Sequence, residues 1–172
     1  MMNYKIFSAL LEYPQQDLLD AMPEIREYLH ADKTLDETDK TALESFLKHM
    51  EASDLTQRQA DYVQTFDLTP EHSLHLTHHL FGDEKGRGPA LIDLAEYYKE
   101  FGLEAPENEL PDYLPMILEF TSQLEDTEAQ VFLSQTVKVL QQLAENLEKA
   151  ESPYAPVIRV IESHSRLTSI AA

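Results

Sequence analysis

"TEAQVFLSQTVKVLQQLAENLEKA", residues 127–150, is the longest periodic run in the chain. Leu133, Val137, Leu140, Ala144 and Leu147 recur at alternating steps of four and three. That spacing gathers them on one face of an α-helix, as in the buried seam of a helical bundle. The same signal recurs upstream. Leu43, Phe46, Leu47 and Met50 share a helical face, and so do Leu55, Tyr62, Val63 and Phe66. The second set follows Asp54-Leu-Thr-Gln57, a capping-box pattern with aspartate as the cap. Leu91, Leu94, Ala95, Tyr98 and Phe101 form a third stripe. Thr69-Pro70 and Gly88-Pro89 offer proline at the first helical position, and Gly82 and Gly102 fall where the following helices should stop. Ser152-Pro153 caps a last helix carrying Val157, Ile158, Val160 and Ile161. Neither period-two alternation nor Asn-Gly turns mark a hairpin. The expected fold is all-α: one domain over residues 1–172, a bundle of eight to nine helices joined by short loops. Residues 154–172 make a last helix and a tail that either docks on the body or hangs free.

Composition narrows the function. The chain has 172 residues and a hydrophobic fraction of 42%, enough for a core without metals or crosslinks. No stretch approaches the roughly 18 uncharged apolar residues of a membrane span. "MMNYKIFSALLEYP" reads as a first helix rather than a signal peptide, since Ser8 and Glu12 break its apolar patch. Cysteine is absent, which removes disulfides, thiolate nucleophiles and cysteine metal sites. A cytoplasmic home is the expectation. Thirteen basic against 32 acidic residues give a net charge of −19, a surface that repels nucleic acid and suits a basic partner. The acid is concentrated: nine Asp and Glu residues lie between Glu100 and Glu128, and no Lys or Arg intervenes before Lys138.

Within that zone stands "ENELPDYLPMILEF", residues 107–120. A proline is harmless in a first helical turn, whose amides have no internal partner. With Asp112 as the cap of the helix that follows, Pro115 takes the third position and Leu114, Ile117 and Leu118 pack inward. Tyr113, Pro111 and the surrounding acid are left over. Elsewhere, "EHSLHLTHHLFG" crowds His72, His75, His78 and His79 into eight residues. On one helix His72, His75 and His79 would share a face, and His75/His79 have a metal-binding spacing, yet no His-Glu-x-x-His motif or closing ligand accompanies them. A structural, hydrogen-bonded role is favoured over a metal. The loop from Gly82 to Gly88 holds three of the four glycines. It lacks the phosphate-loop order and a preceding strand, so a glycine turn is favoured, with Lys85 and Arg87 as candidate anion or rim residues. No nucleophile elbow and no distinct carboxylate pair support catalysis.

The stretches at residues 62–103, "YVQTFDLTPEHSLHLTHHLFGDEKGRGPALIDLAEYYKEFGL", and 109–120, "ELPDYLPMILEF", together with "FSALLEYP" at 7–14, carry a resemblance. The chain resembles the nitrate reductase molybdenum-cofactor assembly chaperones of the NarJ type, within the TorD-like family of redox-enzyme maturation proteins. The resemblance implies an all-helical cytoplasmic chaperone with neither catalytic activity nor a cofactor of its own. Its partner would be the N-terminal segment of the nitrate reductase catalytic subunit, kept competent for molybdenum-cofactor insertion before membrane docking. Cofactor-delivery proteins are a further class of partner. The family's proline-aspartate motif corresponds to Leu110-Pro111-Asp112-Tyr113, with Tyr113 where many relatives have histidine. The expected peptide groove is lined or bordered by Leu110, Asp112, Tyr113, Met116, Leu74, Phe81 and Tyr97. The alternative is a small metal- or nucleotide-dependent enzyme built on His72–His79 and the Gly82–Gly88 loop; an adaptor for another client is a third.

Overall fold

The apolar stripes become helices because each must bury one face, and only neighbouring stripes are available to cover it. The structure, a computed structural model, describes residues 2–81 and 85–166. Among these residues it contains eleven α-helices and no strand, more helices than the eight to nine expected. They are α1 (Tyr4–Leu11), α2 (Gln16–Asp20), α3 (Met22–Ala31), α4 (Glu37–Glu51), α5 (Leu55–Tyr62) and α6 (Leu76–Phe81), then α7 (Arg87–Glu100), α8 (Leu114–Thr121), α9 (Asp126–Ser134), α10 (Val137–Lys149) and α11 (Ala155–Ser165).

The long run at 127–150 is two helices, and its seam shifts as a result. The Ser134 and Thr136 hydroxyls donate back to the carbonyls of Val131 and Leu133, so backbone and side chains compete where α9 ends. Val137 is left half-buried, while Val139, Leu140, Leu143, Ala144 and Leu147 form the inner face of α10. That face packs on Val157, Ile158 and Ile161 of α11, which in turn meets Leu43, Phe46, Leu47 and Met50 of α4. Both stripes expected there are buried.

Asp54 caps α5 by accepting from the Gln57 amide, but the Gln57 side chain turns to Asp61, so half of the capping box forms. After Tyr62 the chain widens into a π-helical turn, Val63–Asp67, which seats Phe66 4.8 Å from the Tyr154 ring. Pro70 opens a 3-10 turn as expected, whereas Pro89 falls third in α7 and Ser152 precedes α11 by a turn, leaving Pro156 inside its first turn. Gly82 and the tail 167–172 lie outside the described residues.

Two helices end in the same six-residue motif with different residues at its left-handed position. After α7 Gly102 takes φ 79°, and Leu103 N–H reaches back to the Tyr98 carbonyl at 3.0 Å. After α10 Glu151 takes φ 55°, and Ser152 N–H reaches the Leu147 carbonyl at 2.9 Å. A side chain in this region costs about 1–2 kcal/mol, and glycine returns about 0.5–1 kcal/mol of that in unfolded-chain entropy. Glu151→Gly should therefore stabilise the chain by about 0.5–1 kcal/mol, a rise in melting temperature of about 1–4 °C. A thermal melt followed by circular dichroism that shows no rise would contradict this.

Candidate peptide-binding clefts

The segment before α8 is fastened to the segment before α6 by one antiparallel bridge. His75 faces Tyr113, Leu76 N–H donates to the Asp112 carbonyl at 3.1 Å, and Leu114 N–H donates to the Leu74 carbonyl at 2.8 Å. The bridge holds Tyr113 extended as the N-cap residue of α8 and turns Asp112 away from that helix. Asp112 is therefore not the cap expected of it. Its Oδ2 accepts from Thr77 N–H at 2.9 Å and from the Thr77 hydroxyl at 2.5 Å, so it caps the start of α6 instead. Pro115 consequently sits second in α8, where its missing N–H still matters little. Arg87 Nε donates to the Thr77 hydroxyl at 2.9 Å, and its Nη2 stands 4.0 Å from Asp112 Oδ2. Among the described residues the buried Asp112 Oδ1 has no hydrogen-bond partner.

α1 packs on α8, the Ser8 hydroxyl donating to the Pro115 carbonyl at 2.5 Å. Beside this contact opens a cleft of about 370 Å³. Its floor is apolar, made by Tyr98, Leu103, Tyr113, Met116 and Phe120, and its rim carries Glu12, Glu104, Glu109 and Glu119. Partial burial raises the Glu12 pKa, and the charge of Glu119 raises it further. Among the described residues Glu12, Glu104 and Glu119 form no ion pair, while Glu109 meets His75 Nε2 at 2.9 Å. Tyr113 belongs to this wall. Its ring stacks on His75 at 5.2 Å, and its hydroxyl lies 2.7 Å from that of Tyr62. Tyr62 spends its one proton on the Leu11 carbonyl at 2.7 Å, so Tyr113 is the donor between the two phenols. Burial, with the nearby charges of Glu109 and Glu12, pushes the Tyr113 pKa up to about 12 despite the bond to Tyr62. Tyr98 anchors the loop above by donating to the Pro111 carbonyl at 2.6 Å.

A second cleft, of about 390 Å³, lies between α6, α7, α9 and α10. An aromatic wall separates the two. Phe120 stands within 4.6–5.5 Å of Tyr97, Tyr98, Phe101 and Phe132, and Tyr97 stacks on Phe132.

The structure thus divides the expected groove residues. Tyr113 and Met116 line the acidic cleft, and Leu110, 43% exposed, follows its rim residue Glu109. Asp112 and Tyr97 line the second cleft. Leu74 is in the core at 2% exposure, and the Phe81 ring packs over Gly86, where a Cβ would meet it at 3.0 Å. Lys85 is exposed, but Arg87 is turned inward to Thr77 and is not a rim cation. His72, His75 and His79 do not share a helix, because the segment passes through a 3-10 turn at His72 and the bridge at His75 before α6, with His78 and His79, begins. His72 lies against the carbonyls of Thr65 and Asn146, His75 against Glu109, and His79 against the Ser73 carbonyl. Among the described residues no three His, Asp or Glu side chains converge as a metal site. Glu12, Tyr98 and Phe120 are not among the groove residues expected from the sequence, and Glu104, Glu109 and Glu119 appear there only as members of the acidic zone.

The sequence model describing the nitrate reductase delta subunit matches residues 16–159. The chain belongs to that family. Among curated relatives, the nitrate reductase molybdenum cofactor assembly chaperone NarJ of Escherichia coli K12 is 37% identical over 155 residues, covering 90% of this chain and 66% of that protein. The chain thus spans just under two thirds of that relative's length. A Bacillus subtilis protein assigned as a chaperone of the same name is 28% identical over 162 residues, covering 92% of this chain and 85% of its own. A crystal structure from Archaeoglobus fulgidus, assigned to redox enzyme maturation, superposes with a TM-score of 0.66 at 22% identity, covering 93% of this chain and 90% of that one. That likeness establishes the all-α architecture of the delta subunit family member described here. Among its described residues no helix is long and apolar enough to cross a membrane.

Proposed function

We propose that the chain is a cytoplasmic, client-specific chaperone without catalytic activity, which holds the N-terminal segment of a nitrate reductase catalytic subunit until the molybdenum cofactor is inserted and before the enzyme docks at the membrane. The acidic cleft carries this reading. An apolar floor framed by four carboxylates suits an amphipathic, basic segment: its apolar side chains meet Tyr98, Met116 and Phe120, and its cations meet the rim. Buried anchors supply most of the affinity, while rim charges steer encounter and reject acidic competitors. Two of those charges, Glu12 and Glu119, already repel one another, and a cation between them relieves that repulsion. The names of the curated relatives support nitrate reductase as the client class; cofactor-delivery proteins are proposed as further partners.

Calorimetry with the N-terminal peptide of the nitrate reductase catalytic subunit tests the proposal. The wild-type chain should bind saturably and more weakly as salt rises. Reversing both charges, Glu12→Lys with Glu119→Lys, should weaken binding about tenfold or more at low salt. Absence of saturable binding at every salt concentration would overturn the assignment.

A further inference from the structure

A third cleft, of about 430 Å³, lies between the C-terminal end of α4, the π-helical turn after α5, the 3-10 turn and the link from α10 to α11. It shares no lining residue with either of the clefts above. Glu151 lines it, the residue that takes φ 55° where the matching position after α7 is Gly102. Its N–H donates to the Glu148 carbonyl at 3.0 Å, a bond that glycine would make equally well. Among the described residues its carboxylate enters no hydrogen bond or ion pair. The fold thus holds a strained backbone for a side chain that it does not itself use, and such outliers cluster at functional sites.

The charges decide what the cleft would hold. Its ionisable side chains are His49, Asp61, His72 and Glu151, and no Lys or Arg is among the lining residues. Asp61 is spent on Arg58 Nη2 at 3.0 Å, and that buried guanidinium also donates to the His49 carbonyl, closing the end of α4. Arg58 Nη1 lies 2.6 Å from His49 Nε2, and burial followed by the Arg58 charge lowers the His49 pKa, so the ring is uncharged at neutral pH. Both His72 ring nitrogens are turned to the carbonyls of Thr65 and Asn146. What remains is the Glu151 charge at the C-terminal end of α10, where the helix dipole adds to it. The Gln64 and Thr65 side chains line the same cleft with no partner among the described residues. A cation is attracted there and an anion repelled. The absence of three converging ligands among the described residues argues against a metal ion. A guanidinium, with five donors in one plane, matches a carboxylate flanked by neutral oxygens.

We infer that this cleft is a docking site for one arginine side chain of a partner protein, its guanidinium paired with Glu151 and its apolar stem lying against Ala150 and Pro153. The site lies outside the acidic cleft and does not depend on the client assigned to it. A chain with both sites can hold a second protein while its acidic cleft is filled.

The probe is N-acetyl-arginine amide, which presents the side chain without free termini, titrated into the isotope-labelled full chain and followed by NMR. Saturable shifts are expected at the amides of Thr65, Ser152 and Tyr154. The citrulline analogue keeps the shape and loses the charge, and should bind about fivefold more weakly or worse. Glu151→Gln keeps the backbone and removes the charge; Glu151→Gly removes the whole side chain and, as argued above, raises the melting temperature. Both should weaken the probe by a similar factor, and a loss of binding with stability kept or gained is not unfolding. Glu12→Lys with Glu119→Lys should leave these shifts unchanged, so this site and the acidic cleft stand or fall separately. Equal binding of the citrulline analogue, or of the probe to Glu151→Gln, would overturn the inference. So would shifts that do not saturate or that are confined to the acidic cleft. Tighter binding of free arginine than of the capped probe would also overturn it, marking a site for an amino acid rather than for a protein side chain.

Discussion

Phe120→Ala should lower the unfolding free energy by about 3–5 kcal/mol, the range for a fully buried aromatic truncated to alanine. Phe120 is 2% exposed, and four aromatic rings surround it, two from α7, one from its C-terminal end and one from α9. This cluster is smaller than the main core and shares Phe132 with it, so little neighbouring mass is available to collapse into the void. Edge-to-face and tilted ring contacts add to the loss beyond buried area alone. Phe120→Leu retains most of the volume and should cost about 1–1.5 kcal/mol. Urea titration followed by circular dichroism measures both. An alanine variant that loses less than about 1 kcal/mol would show that the wall is loosely packed. The consequence for binding is specific: the same ring floors the acidic cleft, so a folded Phe120→Ala chain should lose peptide affinity there.

Asp112→Ala should cost about 2–3 kcal/mol, as removal of a buried charged acceptor that serves two donors does. Thr77 N–H and the Thr77 hydroxyl lose their shared acceptor in a site where Thr77 is only 8% exposed, and Arg87 loses a carboxylate at 4.0 Å. Helix α6 has only six residues, so loss of its cap is felt along its whole length. Removal of the orphaned Oδ1 offsets part of the penalty. Asp112→Asn keeps one carbonyl oxygen for Thr77 and should cost about 1 kcal/mol or less. Equal losses for the two variants would mean that Thr77 does not depend on that oxygen. Guanidinium denaturation with hydrogen exchange at the Thr77 amide separates these cases.

Much of the architecture is written in local periodicity. The stripes of α4 and α11 are read directly because each apolar residue meets a neighbour across a continuous helical face. The division between α9 and α10 was missed because 133, 137, 140 keeps helical phase through the break. The Ser134 and Thr136 hydroxyls were the available sign. Asp112 shows a different limit. Local rules assign it to the helix that follows, but a cap supplied from 35 residues away leaves no local signature. The acidic cleft was half legible. Glu104, Glu109 and Glu119 stand in one base-free zone, whereas Glu12 reaches them only through the packing of α1 on α8, which periodicity does not specify.

The paired phenols under the acidic cleft have a practical consequence. The chain contains eight tyrosines and no tryptophan. Its near-ultraviolet signal therefore comes from phenols, and Tyr113, hydrogen-bonded to Tyr62 and stacked on His75, sits in the wall against which a segment in that cleft would lie. Occupancy can thus be followed without any label, from the absorbance and emission of an intrinsic chromophore pair. A tryptophan placed in the visiting segment would serve as an energy acceptor in an otherwise silent spectral window.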